Sequence, residues 1–207
     1  MKGVHKITLF KTVVGSHLWG MQRSDSDTDY FTVFAYPTKI FLMGYHPKMS
    51  LFKHGDVVDE HLHEIEKTVQ QLMKGNINFI LGVMSPVVVQ TSKYHKELKN
   101  IVAAHPPKNV YHSIRGLAVH NYKLYVKERK DPSERRMNKI LRVLQFGITL
   151  LRTGKYEFKP FYGGTPKMVE QMISELDRAY KESKLEDSVP EDILREYLYR
   201  VRMRFLS

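Results

Sequence analysis

The stretch GSHLWGMQRSDSDTDYFTVF, residues 15–34, joins a Gly-Ser turn to two aspartates at the head of an apolar run. Asp27 and Asp29 are two residues apart, and residues at this spacing in an extended strand project from the same face. Paired carboxylates on a stiff element supply the oxygen ligands that hard divalent cations such as Mg²⁺ prefer. The spacing therefore predicts a metal-binding carboxylate pair.

A candidate phosphate cradle comes just before this pair. The apolar run 7–14 predicts a buried strand, which places Gly15 and Ser16 at its end. Backbone N–H groups and a hydroxyl at such a position can hold phosphate oxygens. A phosphate cradle close to a carboxylate pair indicates phosphoryl-group chemistry. The alternative is that residues 24–29 form only a solvated turn, because Asp and Ser are common turn formers, but their position between two apolar strands favours a site.

Three short motifs in this region resemble the signature of the DNA polymerase β-like nucleotidyltransferase superfamily, and within it the family RlaP, the RNA-ligase-associated predicted nucleotidyltransferases. These motifs are Gly15-Ser16, Trp19-Gly20 and Ser26-Asp27-Thr28-Asp29-Tyr30. Later segments that match the family pattern are Val58-Asp59, Glu64-Ile65-Glu66-Lys67, Lys74-Gly75-Asn76 and Ser85-Pro86-Val87-Val88. The resemblance is specific up to residue 90 and thins to scattered helical positions around residues 139–142.

The chain departs from the family pattern at three places. His17 stands where the family commonly carries Arg, and His is a weaker, pH-dependent cation. Asn76-Ile77 replaces an Asn-Pro pair, and Leu81 replaces a Glu of the following helix. We expect these changes to leave metal binding intact, whereas they can alter which nucleotide the protein selects.

The resemblance implies a third metal-binding carboxylate on a later strand, and two aspartates compete for the role. Asp56 and Asp59 are three residues apart, so they would face opposite ways on one strand. Asp59 follows two valines inside the expected strand and matches the family position, whereas Asp56 fits the preceding turn. We therefore expect Asp59 to be the ligand. His61 and His63 share its parity and could line the same cleft, although lone histidines more often pack than bind a metal.

The same resemblance implies two-metal nucleotidyl transfer. Asp27, Asp29 and Asp59 would be the catalytic and metal-binding residues for two Mg²⁺ ions, with Mn²⁺ as an alternative. An NTP such as ATP would lose pyrophosphate as its NMP passes to a hydroxyl acceptor. The residues expected to bind the nucleotide are Gly15, Ser16, His17, Lys67, Lys139 and Arg142. For the last three, a solvated helix face is the open alternative.

Length and composition set broad limits on the class of protein. The 207 residues are 42% hydrophobic, which suffices for one large domain or a catalytic domain with a helical companion. The absence of cysteine excludes disulfides and zinc–thiolate sites and fits a reducing compartment. No apolar run reaches the length of a membrane span, and the first residues lack the layout of a signal peptide. We therefore expect a soluble, cytoplasmic protein without a membrane partner.

Positive charge is concentrated in the later part of the chain. Residues 1–75 carry 9 Lys/Arg and 8 Asp/Glu, whereas residues 76–207 carry 24 and 14. Residues 93–159, here called the basic segment, hold 16 basic and 5 acidic residues. Its tyrosines are Tyr94, Tyr111, Tyr122, Tyr125 and Tyr156. Because cations neutralise phosphates and rings stack on bases, this pattern favours RNA as a partner, and plain surface solubility is the alternative.

The distribution of apolar and turn residues predicts an α+β fold, in which a small mixed β-sheet nucleotidyltransferase core precedes a C-terminal helical region. Strands are expected at about 5–14, 29–36 and 56–61, and helices at 60–74, 91–104, 108–130, 133–153, 165–183 and 189–205. Thr165 and Ser188 are expected to cap the last two helices ahead of a proline. We expect residues 1–90 to be the catalytic core and residues 91–207 the basic, substrate-binding region.

Two other function classes stay open. One is nucleotide transfer onto a protein or small molecule, such as an antibiotic or a toxin partner, which would use the same carboxylates but need no basic groove. The other is a non-catalytic nucleic-acid-binding module, in which the acidic run is only a turn. The resemblance favours an enzyme that acts on RNA in functional association with an RNA ligase.

Overall fold

The computed structural model describes residues 5–24, 26–55, 57–128 and 133–206, without the side chains of 125–127. In this part of the chain five strands form one mixed sheet. The strands are β1 (Ile7–Val14), β2 (Thr28–Ala35), β3 (Ser50–His54), β4 (Val58–Glu64) and β5 (Val88–Gln90). Their order is β3-β4-β2-β1-β5, with β2 and β4 parallel and the other neighbours antiparallel. This sheet confirms the predicted α+β class.

Nine α-helices accompany the sheet within those ranges. They are α1 (Gly15–Leu18), α2 (Thr38–Leu42), α3 (Ile65–Met73), α4 (Ile77–Met84), α5 (Lys93–Ala104), α6 (Val110–Asn121), α7 (Glu134–Thr153), α8 (Pro166–Glu182) and α9 (Glu191–Arg204). A π-helical turn, Tyr122–Lys127, follows α6. None of the helices in the described ranges combines the length and apolar content that crossing a membrane requires. The long helices lie after residue 90, as predicted.

The helix predicted from Glu60 is wrong in its first turn. Residues 60–64 belong to β4, and α3 begins only at Ile65. Leu62 pairs on one side with β2 and on the other with β3, and it is buried in a small hydrophobic cluster. Pairing between distant strands therefore overrides the helical spacing of the apolar residues. For the same reason β3 and β5 are absent from the predicted elements. The helix α4 agrees with the helix that the resemblance implies around Leu81, whereas α2 was not predicted.

The two predicted helix caps have opposite outcomes. Thr165 caps α8 as predicted, because its hydroxyl accepts a hydrogen bond from the Met168 backbone N–H at 3.3 Å. The cap predicted at Ser188 is wrong, because α9 begins after Pro190, which offers no side-chain acceptor. Acidic residues in the first turn of α9, Glu191 and Asp192, instead complement the helix dipole.

The two faces of the sheet are covered unequally. The parallel register places Asp29 beside Asp59 and Phe31 beside His61, so these side chains share one face. The main hydrophobic core covers this face and contains residues of β1, β2 and all helices from α3 to α9. The other face packs a smaller cluster around Phe34. The carboxylates therefore lie on the helix-covered face, and the division near residue 90 stays a prediction.

One buried ion pair ties the last helix to the end of β4. Glu64 is fully buried, and both its oxygens accept hydrogen bonds from the Arg202 guanidinium, at 2.7 and 2.9 Å. The backbone N–H of Glu66 donates a further bond to Glu64 at 2.7 Å. Burial raises the pKa of the Glu64 carboxyl above its ordinary value, against the lowering effect of Arg202. The pair holds α9 against the strand that carries Asp59.

We expect Arg202→Ala to destabilise the fold by about 3 to 5 kcal/mol at neutral pH, because it leaves the Glu64 carboxylate buried and unpaired. Without Arg202 the pKa of Glu64 should move further above its ordinary value of 4.5. The loss should therefore shrink as the pH falls through the raised folded-state pKa of Glu64, because protonation removes the unpaired buried charge. Urea denaturation at pH 7 and pH 5 measures the difference.

Arg200→Ala is the matched control for this variant. Arg200 lies on the same helix, but its partners, Glu97 and Glu196, are well exposed to solvent. Such a pair contributes about 1 kcal/mol or less. Equal losses for the two arginine variants, or a loss that does not change with pH, would contradict the role given to Glu64.

Candidate functional site

Asp29 and Asp59 lie side by side on the two parallel strands. The register of β2 and β4 pairs them directly, and the Nδ1 atom of His54 lies 3.1 Å from an Asp59 carboxylate oxygen. Asp27 is exposed and precedes β2, so only Asp29 of the predicted pair sits on the strand itself. The competing Asp56 lies outside the described residues. The two strands thus bring together two of the three predicted carboxylates, with the third nearby.

The electrostatics of Asp29 reflect this crowding. Burial raises the pKa of its carboxyl above the ordinary value, and the charges of Asp59 and Asp27 raise it further. His61 and Lys139 act in the opposite direction. Like charges held this close repel each other, and a bound cation would relieve that repulsion.

Gly15, the first residue of α1, occupies a position that requires a glycine. Its φ angle is +65°, a left-handed conformation that glycine adopts without strain. A Cβ atom at this position would overlap the carboxylate of Asp29. The backbone of the Gly-Ser turn therefore packs directly against the central carboxylate of the site.

Two cations from α7 face the same region. Arg142 is buried, its Nε atom has no hydrogen-bond partner among the described residues, and its guanidinium lies 5.3 Å from the centre of a Trp19 ring. Burial lowers the pKa of Arg142 to about 10, and burial also lowers the pKa of Lys139. Within the described ranges neither cation forms an ion pair with a carboxylate. Two desolvated cations without a paired anion suit an anionic ligand.

Two cavities meet at these cations. The large cavity has a volume of about 560 Å³, and the small pocket has a volume of about 120 Å³. Lys139 and Arg142 line both. The large cavity also contacts Gly15, Trp19, Asp29, Phe52, His61, His63, Asn78, Phe79, Leu117, Asn121, Ile140 and Val143. The small pocket also contacts Ser16, Met21, Arg23, Glu134, Arg135, Asn138 and Tyr162, and the carboxylate of Glu134 accepts hydrogen bonds from Asn138 and from the Gly163 backbone.

The other predicted nucleotide-binding residues are placed differently. Ser16 lines the small pocket together with Lys139 and Arg142, and its role in binding phosphate stays a prediction. His17 lines neither cavity, although its Nε2 atom is buried and without a hydrogen-bond partner among the described residues. Lys67 also lines neither cavity, and its charge contributes to the lowered pKa of His63. The structure therefore does not bring Lys67 together with Lys139 and Arg142.

His63 is a neutral part of the wall of the large cavity. It is buried, its Nδ1 atom lies 2.9 Å from the Ser50 hydroxyl, and its ring lies 4.5 Å from that of Phe79. Burial lowers the pKa of His63 to about 4, so the imidazole is uncharged near neutral pH. Strand parity alone pointed His61 and His63 toward the cleft. The same parity could not place Phe52 in the cleft, because β3 was not among the predicted strands.

Most tyrosines of the basic segment contact other groups of the protein. Tyr122 is buried, and Tyr156 donates a hydrogen bond to the Val102 carbonyl at 2.9 Å. Tyr111 stacks on Tyr180 with ring centres 4.0 Å apart. Tyr94 packs beside Phe205, and the side chain of Tyr125 lies outside the description. These contacts give Tyr111, Tyr122 and Tyr156 protein partners, and their stacking on bases stays a prediction without support from the structure.

The acidic edge of the large cavity offers the donor set that Mg²⁺ takes. This ion commonly binds one or two carboxylates and completes its shell with water and substrate phosphates. Asp29 and Asp59 supply two carboxylates on neighbouring strands. In the described ranges no three His, Asp or Glu side chains form a ready-made metal site, so Asp27, water or phosphate would complete the shell. The donors fit a cation that arrives with its substrate, and the metal role stays a prediction.

Comparison with protein families agrees with the motifs at the carboxylates. The model of RlaP, described as the RNA repair pathway DNA polymerase beta family, matches residues 2–201. Because the match covers nearly the whole chain, the chain belongs to this family. The match also extends through α5 to α9, well past residue 90, where the short motifs end.

A relative in Methanocaldococcus jannaschii, named Uncharacterized protein MJ0002, is 29% identical to the chain over 161 residues. The alignment covers 73% of the chain and 63% of the relative. The chain thus spans less than two thirds of the length of this relative. The relative's name states no activity, so the comparison indicates kinship and leaves substrate and acceptor open.

We expect Gly15→Ala to destabilise the fold more than Gly20→Ala does. Both glycines have a φ angle of +65°, so alanine strains the backbone at either position by about 1 to 2 kcal/mol. Only at Gly15 does the added Cβ overlap a side chain, that of Asp29, whereas nothing lies within 4 Å at Gly20. Urea denaturation of the two variants measures the extra loss.

A double-mutant cycle isolates the contact between Gly15 and Asp29. Asp29→Ala should recover the extra loss when combined with Gly15→Ala, because it removes the carboxylate that the Cβ would meet. The same substitution combined with Gly20→Ala should show no coupling. Equal coupling in both pairs would mean that the Gly15 loss arises from the backbone alone.

Proposed function

We propose that this member of the RlaP family transfers an NMP from an NTP to a hydroxyl of RNA and releases pyrophosphate. The family is of the DNA polymerase β-like nucleotidyltransferase type. The finer proposal is carried by one observation: Asp29, paired with Asp59, lines the same cavity as the buried cations Lys139 and Arg142. Carboxylates opposite desolvated cations suit a triphosphate that brings its own metal ions.

The metal would be held by Asp29 and Asp59, together with Asp27, as two Mg²⁺ or Mn²⁺ ions. When bound, such ions stabilise the triphosphate and lower the pKa of an attacking hydroxyl. The Gly-Ser turn has a separate role, because the close packing of Gly15 fixes where the Asp29 carboxylate points. A site positioned this way in advance needs little reorganisation during the reaction.

The small pocket would bind the outer phosphates. Its cations are Arg23, Arg135, Lys139 and Arg142, and the hydroxyl of Ser16 lies among them. These charges would neutralise the pyrophosphate as it leaves. His17 follows Ser16 in sequence, but it lines neither cavity and its Nε2 atom is buried, so His17 has no part in this proposal. Lys67 lies outside both cavities and has no part in this proposal.

RNA is the proposed acceptor for two reasons. The family is described as part of an RNA repair pathway, and the basic segment carries a strong excess of Lys and Arg. An RNA ligase is then the natural functional partner, since it would join the ends that such an enzyme extends. A cytoplasmic location belongs to the same proposal and suits a chain without cysteine.

Asp29→Asn and Asp59→Asn should each lower the transfer rate by about a hundredfold or more while the fold survives. Each change removes one ligand charge, and such losses in a metal site reach several kcal/mol of transition-state stabilisation. The assay is transfer of radiolabelled NMP in the presence of Mg²⁺ to an RNA, a protein and a small-molecule acceptor in parallel. Circular dichroism checks the fold.

Glu60→Gln is the matched control for these variants. Glu60 follows Asp59 on β4 but points to the opposite face, where it contacts Lys11, Lys53 and Thr32. We expect this variant to lose stability yet keep transfer within about tenfold of wild type. If either aspartate variant also stayed within that range, the metal assignment would fail.

Binding of RNA should weaken with salt in proportion to the phosphates neutralised. For a single strand, log affinity should fall with log salt by roughly 0.7 per neutralised phosphate. Reversing the charge of the exposed Lys123 and Lys155 should reduce that slope without changing the KM for NTP, since neither residue lines a cavity described above. The exposed Lys74, outside the basic segment, is the control. A flat salt response would favour a protein or small-molecule acceptor.

A further inference from the structure

We propose that the large cavity is the acceptor site and that it takes one unpaired terminal nucleotide of RNA, with its base against Phe52. This inference rests on the proposed function and names the acceptor side of the same site. It assigns a role to β3, to the amides Asn78 and Asn121, and to the aromatic wall of the cavity. None of these groups takes part in metal or phosphate binding.

The order of the strands puts the phosphates and the acceptor on opposite sides of Asp29. Its strand, β2, lies between β1 and β4. Ser16 follows β1 on one side, whereas His61 on β4 and Phe52 on β3 lie on the other. In-line displacement requires the attacking hydroxyl and the leaving pyrophosphate to be on opposite sides of the phosphorus. With pyrophosphate in the small pocket near Ser16, the hydroxyl must arrive from the side of β4.

Phe52 offers an exposed ring at that side. The side chain is 57% exposed although it lines the cavity, and the ring of His61 meets it edge-on at 4.9 Å. Exposed aromatic rings beside a basic site are typical stacking platforms for unpaired bases. None of the described tyrosines of the basic segment is among the residues that line the cavity. Of the lining residues Trp19, Phe31, Phe52 and Phe79, Phe52 alone is exposed, so its ring is the one available for stacking.

Two amides give the cavity hydrogen-bonding capacity for a base edge. Asn78 lines the cavity, and its side chain makes no hydrogen bond within the described ranges. Asn121 donates its side-chain N–H to the Leu117 carbonyl at 2.8 Å, which leaves its carbonyl oxygen as an acceptor. Recognition of unpaired RNA bases combines stacking with hydrogen bonds to the base edges.

The size of the cavity favours a single nucleotide over a base pair. Leu117 of α6 and Ile140 and Val143 of α7 close the cavity opposite β3 and β4. Its volume of about 560 Å³ falls in the range of about 300 to 1,000 Å³ that small-ligand sites occupy. Such a volume suits one nucleotide better than the paired end of a duplex.

Transfer kinetics with two acceptors test this inference. A single-stranded oligoribonucleotide should be a good acceptor, and a blunt hairpin with the same terminal nucleotide should be about tenfold or more poorer in kcat/KM. Phe52→Ala should raise the KM for the single strand by about 5- to 100-fold, the effect of losing one base–aromatic stack. The KM for NTP should stay unchanged.

Lys53→Ala is the matched control, because Lys53 is the next residue of β3, points to the opposite face and is well exposed. It should change neither KM. Asn78→Ala is a second variant at an exposed position and should raise the acceptor KM as Phe52→Ala does. A raised KM for NTP with an unchanged acceptor KM would put the donor nucleoside in the cavity and overturn the inference, as would equal use of the blunt hairpin.

Trp19 provides a readout that needs no turnover. It is the single tryptophan and lines the cavity, so its fluorescence should change when the single-stranded oligoribonucleotide binds, and Phe52→Ala should weaken that binding. Binding of this kind without transfer would overturn the proposed function and leave the acceptor site standing. If wild type transferred the NMP but Phe52→Ala bound the oligoribonucleotide as tightly as wild type, the acceptor site would be overturned and the proposed function would stand.

Discussion

Repulsion between two carboxylates is the constraint on which this site depends. Asp29 and Asp59 face each other across neighbouring parallel strands, where like charges destabilise a sheet. The surrounding structure holds them there in three ways. Gly15 packs against Asp29, β3 flanks Asp59, and α7 brings Lys139 and Arg142 over the pair. A bound cation would relieve the repulsion that this arrangement imposes.

Local features of the site could be predicted from the sequence, because they depend on neighbours in the chain. The turn at Gly15 and Ser16 and the carboxylate on β2 follow from a short motif between two apolar runs. The parity of Asp59, His61 and His63 also needs only the period of a strand. Family resemblance added what spacing could not, namely that distant Lys139 and Arg142 belong to the same site.

What escaped prediction depends on contacts between distant segments. β3 is short and pairs with β4 alone, so neither its position nor the exposure of Phe52 has a local signal. The helical spacing that runs from Leu62 into α3 is equally compatible with a strand end, and only pairing decides between them. The tyrosines of the basic segment illustrate the same limit, since composition does not tell a ring on the surface from one packed on a neighbouring helix.

The bond between Glu64 and Arg202 has a consequence for how the chain acquires its structure. It joins residues 138 positions apart and holds the end of the strand that carries Asp59. Contacts of such high sequence separation form late and slow folding. On the ribosome the strands emerge long before α9, so Glu64 has no ion-pair partner until Arg202 has been synthesised. The end of β4 can therefore reach its final packing only after nearly all of the 207 residues have been synthesised.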